Sequence, residues 1–143
     1  MTTEQPIDNP TGWVQDHIRQ YVESGGERGH RWKGTDTLLL TTRGRKSGDL
    51  RRTALIYGTD GDRYVVVASY GGKPHHPAWY LNLEADPNVI VQVGEETFAA
   101  TARTASPEER ERLWGPMAEI WPAYDDYQAK TDREIPIVVI ERR

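Results

Sequence analysis

Residues 41–53, TTRGRKSGDLRRT, set Arg43, Arg45, Lys46, Arg51 and Arg52 against one carboxylate, Asp49. Side chains of this kind, so spaced, can hold an anion. Gly44 and Gly48 permit the left-handed backbone that turns successive N–H groups inward, and Arg45 and Lys46 add charge. Ser47 adds a hydroxyl donor, and Arg51 can point back into the same volume. The stretch is not a P-loop, because that motif's first glycine is missing and no helix follows. The segment carries +4 and the rest of the chain −8, within a net charge of −4. Charge alone leaves a solvated basic turn as open as an anion cradle. One concentrated patch on an acidic body suits a small, discrete anion better than a nucleic-acid coat. RGRK is also similar to a minor-groove hook of the Arg-Gly-Arg-Pro type. Lys46 replaces the proline and strands flank it, so no nucleic-acid partner is expected.

A second stretch, SYGGKPHHPAWYLNL at 69–83, is too rich in Gly and Pro at its start for regular structure. Ser69, Tyr70, Gly71 and Gly72 follow a strand, where paired glycines let a flat ligand approach the backbone. Trp79 and Tyr80 offer apolar walls with polar tips, and Lys73 adds a cation. His75 and His76 are adjacent and point apart, which is poor chelating geometry, so they are read as a solvated loop and no metal site is expected. Trp121, Tyr124 and Tyr127 are spaced three apart. Tyr124 and Tyr127 share a helix face, where the residues alone favour core aromatics over pocket walls with a proton to give. Neither a Ser-His-Asp spacing, nor Gly-x-Ser-x-Gly, nor a carboxylate pair with a role is present. In an enzyme of this composition a cofactor carries the chemistry.

The elements that must position these residues read as one domain, residues 12–143, behind a polar, flexible tail at 1–11. Thr11 is placed to cap a helix over 12–24 carrying Trp13, Val14, Ile18, Tyr21 and Val22. Asp16 and Glu23 on its polar face favour packing on the domain over a mobile lid or a surface-seeking helix. Strands are expected at 37–42, 51–58, 63–69, 88–94, 97–103 and 135–143, with helices at 78–87, 106–121 and 123–132. Ser106, Pro107 and Glu109 form a capping box, and Pro116 is expected to kink or end its helix. Six strands, mostly joined as hairpins, with helices outside predict an α+β fold: a small six-stranded antiparallel barrel or rolled sheet. The absence of cysteine excludes disulfides, thiolate nucleophiles and Cys-based metal sites. MTTEQPIDNP has no signal-peptide pattern, and no apolar run approaches the ~20 residues of a membrane span. A cytoplasmic location is expected, with peripheral membrane contact through the N-terminal helix as an open alternative.

LLLTTRGRKSG, ASYGGKPHHPAWYLNL, TARTASPEERERLW and YDDYQAKTDREIPIVVIERR occur in order over about residues 35–141. Together they resemble the deazaflavin (coenzyme F420)-dependent nitroreductase family. The resemblance implies a flavin-reductase-like split β-barrel. It also implies coenzyme F420, a deazaflavin with a phosphate and a polyglutamate tail. Members reduce quinones, nitroimidazole prodrugs and enone-containing lactones, with hydride delivered from the reduced deazaflavin to a small-molecule acceptor. On this resemblance Arg45, Lys46 and Ser47 hold the phosphate with help from Arg51, Gly48 lies in the same loop, and the other cations face the tail. Ser69, Tyr70, Gly71 and Gly72 border the ring, and Pro77, Ala78 and Trp79 pack near it. Tyr124 and Tyr127 match tyrosines beside the substrate, which raises their reading as pocket walls and proton donors. Tyr70 stands where the prodrug-activating relative has a lysine, and Ile56 and Trp121 replace tyrosines near its substrate. These departures weigh against nitroimidazole reduction more than against quinone or enone reduction. Two rivals remain on the same fold: a non-catalytic deazaflavin carrier, and an oxidoreductase using flavin mononucleotide.

Overall fold

A computed structural model gives the architecture and describes residues 5–143. In chain order the elements are β1 (Ile7–Asp8), α1 (Gly12–Ser24), β2 (Arg31–Trp32), β3 (Thr35–Arg43), β4 (Leu50–Ile56), β5 (Gly58–Asp60) and β6 (Arg63–Val67). A single 3-10 turn (Tyr70–Gly72) leads to α2 (Ala78–Ala85), β7 (Asn88–Val93), β8 (Glu96–Thr104), α3 (Pro107–Ile120), α4 (Ala123–Lys130) and β9 (Ile137–Arg142). Eight strands hydrogen-bond in the order β1-β4-β3-β7-β8-β9-β6-β5, and β2 pairs with β3 outside that path.

The fold is α+β, as expected, but the sheet has nine strands and its ladder does not close, so the six-stranded barrel is corrected. The three added strands are two or three residues long, too short to show an alternating pattern. β4 and β5 lie toward opposite ends of the path, yet only Tyr57 separates them in the chain. The sheet must therefore curl until its two ends meet at that residue.

Alternation along the strands builds a core on each face. Leu38 and Leu40 of β3, Val66 of β6 and Val138 and Ile140 of β9 point inward, where Tyr80 and Leu83 of α2 join them. Val65, Val67, Ile137 and Val139 point outward and are covered by Leu113 and Met117 of α3 and Tyr124 of α4. Leu39 faces outward under Val14, Ile18 and Tyr21 of α1. The helix 12–24 thus packs on the sheet, while Trp13 and Val22 stay exposed. Thr11 occupies the N-cap position without a side-chain bond; its own N–H donates to Asn9 Oδ1 at 3.0 Å. Ser106 and Glu109 form the expected reciprocal cap, but α3 runs through Pro116 to Ile120. The burial of Leu113 and Met117 on either side of the proline outweighs the lost backbone bond.

The N-terminal segment is more ordered than a tail. Residues 1–4 lie outside the described residues, but Ile7 and Asp8 pair in parallel with Arg51 and Arg52 of β4. Asp8 accepts from Arg52 Nε at 2.6 Å, and Asn9 donates to Thr53 Oγ1 at 3.3 Å. Polar composition suggested a free tail, whereas edge pairing and an ion pair fix it.

Tyr21 ties α1 to the sheet. Its hydroxyl donates to Thr37 O at 3.0 Å and accepts from the Gly94 N–H at 2.8 Å. Tyr21→Phe strips Gly94 of this acceptor inside a packed interface. It should cost about 1–3 kcal/mol in chemical denaturation, and the circular dichroism spectrum should stay unchanged.

Candidate functional site

One cavity of about 890 Å³ gathers most of the residues singled out from the sequence. Arg45, Lys46, Ser47 and Arg51 line it, as do Ser69, Tyr70, Gly71, Pro77, Ala78 and Trp79. Ile56, Trp121, Tyr124 and Tyr127 complete the set. Gly48 and Gly72 do not line it: Gly48 is exposed in the turn, and Gly72 is buried against α4.

The basic loop between β3 and β4 is folded by its own backbone. Gly44 N–H donates to Asp49 O at 2.7 Å, Gly48 N–H to Gly44 O at 2.9 Å, and Arg43 Nη1 to Gly48 O at 2.7 Å. Of the two framing glycines only Gly48 is left-handed; at Gly44 a Cβ would sit 2.8 Å from Ser47 Oγ and 3.1 Å from Asp49 O, so glycine there lets the loop close without moving Ser47. Ser47 Oγ accepts from Asp49 N–H at 3.1 Å, which leaves its proton free to donate. Asn82 anchors the loop from α2. Buried at 4% exposure, it accepts from Arg45 N–H at 3.2 Å and Arg45 Nη1 at 3.0 Å, and donates to Thr42 Oγ1 at 3.2 Å. Arg45, Lys46 and Arg51 are exposed, and among the described residues no carboxylate pairs with them. In a chain of net charge −4, three cations aimed at one cavity without counter-charge fit an anionic ligand.

The second loop begins where β6 ends. Tyr70 has φ +47, and Gly71 and Gly72 follow at +64 and +79. A left-handed tyrosine costs roughly 1–2 kcal/mol, and such strain clusters at binding sites. A Cβ on Gly71 would meet nothing within 4 Å, so this backbone is open on its cavity side. His76 is half-buried and accepts at Nδ1 from Arg133 at 3.1 Å, which corrects its reading as solvated. Burial, and next the Arg133 charge, push its pKa down.

The aromatic wall comes from three elements. Trp13 of α1 stacks on Trp32 of β2 with centroids 5.6 Å apart, and Trp32 meets Trp121 at 5.5 Å. Tyr124 and Tyr127 on α4 stand 6.3 Å apart, edge to face. Tyr124 is buried, and burial, with a smaller contribution from Tyr127, pushes its phenol well above the ordinary range. Its hydroxyl therefore stays protonated at neutral pH.

Sequence reasoning missed several wall residues. Asn82 had a signal, a lone amide in the apolar run YLNL. Arg52 of β4, already marked among the basic-segment cations, also lines the cavity, while Trp13 and His17 reach it from α1 and Trp32 from β2. Their placement is tertiary, and no local pattern encodes it. No group of three or more His, Asp or Glu among the described residues could hold a metal. No described helix is long and apolar enough to cross a membrane.

The same arrangement of motifs is found in known proteins. A family model described as F420H(2)-dependent quinone reductase matches residues 13–142. An F420H(2)-dependent quinone reductase of Mycobacterium tuberculosis is 43% identical over 131 residues, covering 89% of this chain and 88% of that one. A solved F420-H2 dependent reductase superposes with a TM-score of 0.68 at 44% identity, over 73% of this chain and 93% of its own. A solved domain-swapped dimer does so at 0.71 and 39%, over 93% of this chain and 100% of its own. A match across nearly the whole chain, with the cation-lined cavity inside it, means that this protein belongs to the F420H(2)-dependent quinone reductase family and that coenzyme F420 is its cofactor.

Proposed function

We propose that the chain is a reductase that passes a hydride from reduced F420 to a quinone, and that enone-containing and nitroaromatic acceptors are secondary substrates. What carries the reading is one cavity in which Lys46 and Arg51, without a carboxylate partner among the described residues, share walls with Trp121, Tyr124 and Tyr127. An anion-binding end and an aromatic end are joined there by the open backbone at Gly71. The curled sheet whose ends meet at Tyr57 supports a split barrel of the flavin-reductase type. Residues 12–143 then form the cofactor-binding domain, with β1 laid across its rim.

Bound there, F420 supplies the hydride; the protein supplies position, charge and a proton. Arg45, Lys46 and Ser47 bind the phosphate, with Arg51 assisting. Arg43 and Arg52 face the acidic tail, and Arg52 does so beside Asp8. Ser69, Tyr70 and Gly71 would border the ring, and Pro77, Ala78 and Trp79 would pack near the ring and its linker. Trp121 and Ile56 shape the acceptor space, and Trp32 holds Trp121 in place. Tyr124 and Tyr127 hold protons at Oη. Burial makes Tyr124 a poor acid in isolation, so it serves a developing oxyanion first as a hydrogen-bond donor.

Two kinds of test follow from this assignment, the first on cofactor binding and the second on the proton. Titration should give tight binding of F420 and weaker binding of flavin mononucleotide; the reverse order would mean a flavin enzyme on the same fold. Arg45→Ala with Lys46→Ala should weaken F420 binding roughly 100-fold, the equivalent of about 3 kcal/mol, flatten its salt dependence and leave the fold intact. The second test concerns the proton. Tyr124→Phe with Tyr127→Phe should lower kcat with a quinone about 100-fold at unchanged F420 affinity, and an unchanged kcat would make solvent the donor.

A further inference from the structure

Arg133 lies outside the cavity wall, and the roles assigned above do not use it. Its guanidinium is partly buried, and among the described residues no carboxylate pairs with it. It spends its donors on acceptors of one loop. Nε donates to Lys73 O at 2.8 Å, Nη2 to Ser69 O at 2.7 Å, and Nη1 to Ala68 O at 3.2 Å and His76 Nδ1 at 3.1 Å. A charge held by carbonyls and an imidazole, with no anion, is costly unless the geometry it enforces is needed.

We propose that Arg133 is a positioning residue for the cofactor: it draws the carbonyls of Ala68, Ser69 and Lys73 and the His76 imidazole to itself, and so holds the left-handed backbone at Tyr70 and Gly71 on the cavity wall, with Gly72 set against α4. This rests on the reading of that cavity as the F420 site. Gly71 and Gly72 adopt positive φ at no steric cost, but the positive φ of Tyr70 persists only where surroundings over-determine it. Arg133 supplies that constraint from outside. A trans peptide sets C=O and the next N–H in opposite directions, so Ser69 O directed at the guanidinium turns Tyr70 N–H away from it.

The same residue joins the loop to the tyrosine helix. Gln128 of α4 donates to Arg133 O at 2.8 Å, and its Oε1 accepts from Ile135 N–H at 2.9 Å. Gly72 lies so close to α4 that a Cβ would sit 2.7 Å from Tyr127 O. The backbone at 70–72 and the tyrosine helix are therefore packed and hydrogen-bonded to each other, with Arg133 between them.

The contact to His76 makes the device sensitive to pH. Only a neutral imidazole with a bare Nδ1 can accept from Arg133; once protonated, both nitrogens donate. The charged and titratable groups around His76 are Arg133, Glu84 and Tyr80 of α2, and the neighbouring His75. Burial and Arg133 oppose the proton more than Glu84 favours it, so His76 titrates below 6.5 in the folded protein. The contribution of this contact is complete above that pH, and acid removes it as His76 takes up a proton.

The test follows F420 binding between pH 5 and 8 in the wild type, Arg133→Met, Arg133→Lys and His76→Gln. Thermal unfolding of each, and the His76 titration by NMR in the unliganded wild type and Arg133→Met, are measured alongside. Arg133→Met should weaken F420 binding about tenfold or more, with partial rescue by Arg133→Lys. Wild-type affinity should fall in acid, and His76→Gln, which keeps an acceptor but cannot titrate, should remove that fall. The His76 midpoint should rise in Arg133→Met. Wild-type F420 affinity from a folded Arg133→Met protein would overturn the proposal. An acid loss that persists in His76→Gln, or an unmoved His76 midpoint, would overturn it too. Should Arg133→Met fail to fold, the acid profile of His76→Gln decides. Failure of the wild type to bind F420 would instead refute the cavity's assignment, and the NMR titration, which needs no cofactor, would still judge the contact.

Discussion

The chain leaves β4 at Ile56, turns through Tyr57 and begins β5 at Gly58, although those strands lie toward opposite ends of one hydrogen-bonded path. Much else depends on that single-residue connection. It forces the sheet to curl, and curling gives it an inside, filled by Leu38, Leu40, Val66 and Val138, and an outside, which the helices must cover. It also brings the start of β4, which carries Arg51 and Arg52, onto the same cavity as the loop after β6. An open, flat sheet of the same strands would keep the basic loop and the backbone at Tyr70 and Gly71 apart.

Electrostatics then separates this cavity from the rest of an acidic chain. Elsewhere arginines find carboxylates: Arg103 with Glu109, Arg112 with Asp60, Arg31 with Asp36. Around the cavity, Lys46 and Arg51 have no such partner among the described residues, and Arg45 is steadied by the neutral Asn82. A neutral anchor orients a guanidinium without spending its charge, which leaves that charge for a ligand. Arg52 is the exception, since Asp8 holds it, and that pair fastens β1 over the rim.

How far the sequence could be read follows from the range of each signal. β3, β6 and β9 were legible because each carries a continuous β-branched or leucine run, buried on both faces. The basic loop was legible because glycines frame it and two strands flank it. The capping box marked the start of α3 through Ser106 and Glu109. β1, β2 and β5 were not legible, since two or three residues carry no period. That α3 continues past Pro116 rests on the burial of Leu113 and Met117 around it, which local backbone cost does not show. The cofactor loops and the aromatic wall were named residue by residue through the family resemblance; the residues alone left Tyr124 and Tyr127 as core. Arg133 and Trp32 had no sequence signal, because what they do is decided by segments 60 and 89 residues away. Local pattern finds ligand-facing loops, and tertiary packing alone finds what holds them.

The most direct measurement is a single turnover. Protein loaded with reduced F420 is mixed with a quinone in the absence of oxygen, and cofactor oxidation and quinol formation are followed together by absorbance. Stoichiometric quinol formed as the cofactor oxidises, at a rate far above that of the two small molecules alone, is the result expected of a reductase built on this cavity. Cofactor that binds but oxidises no faster than in buffer would contradict it and leave a deazaflavin carrier in its place.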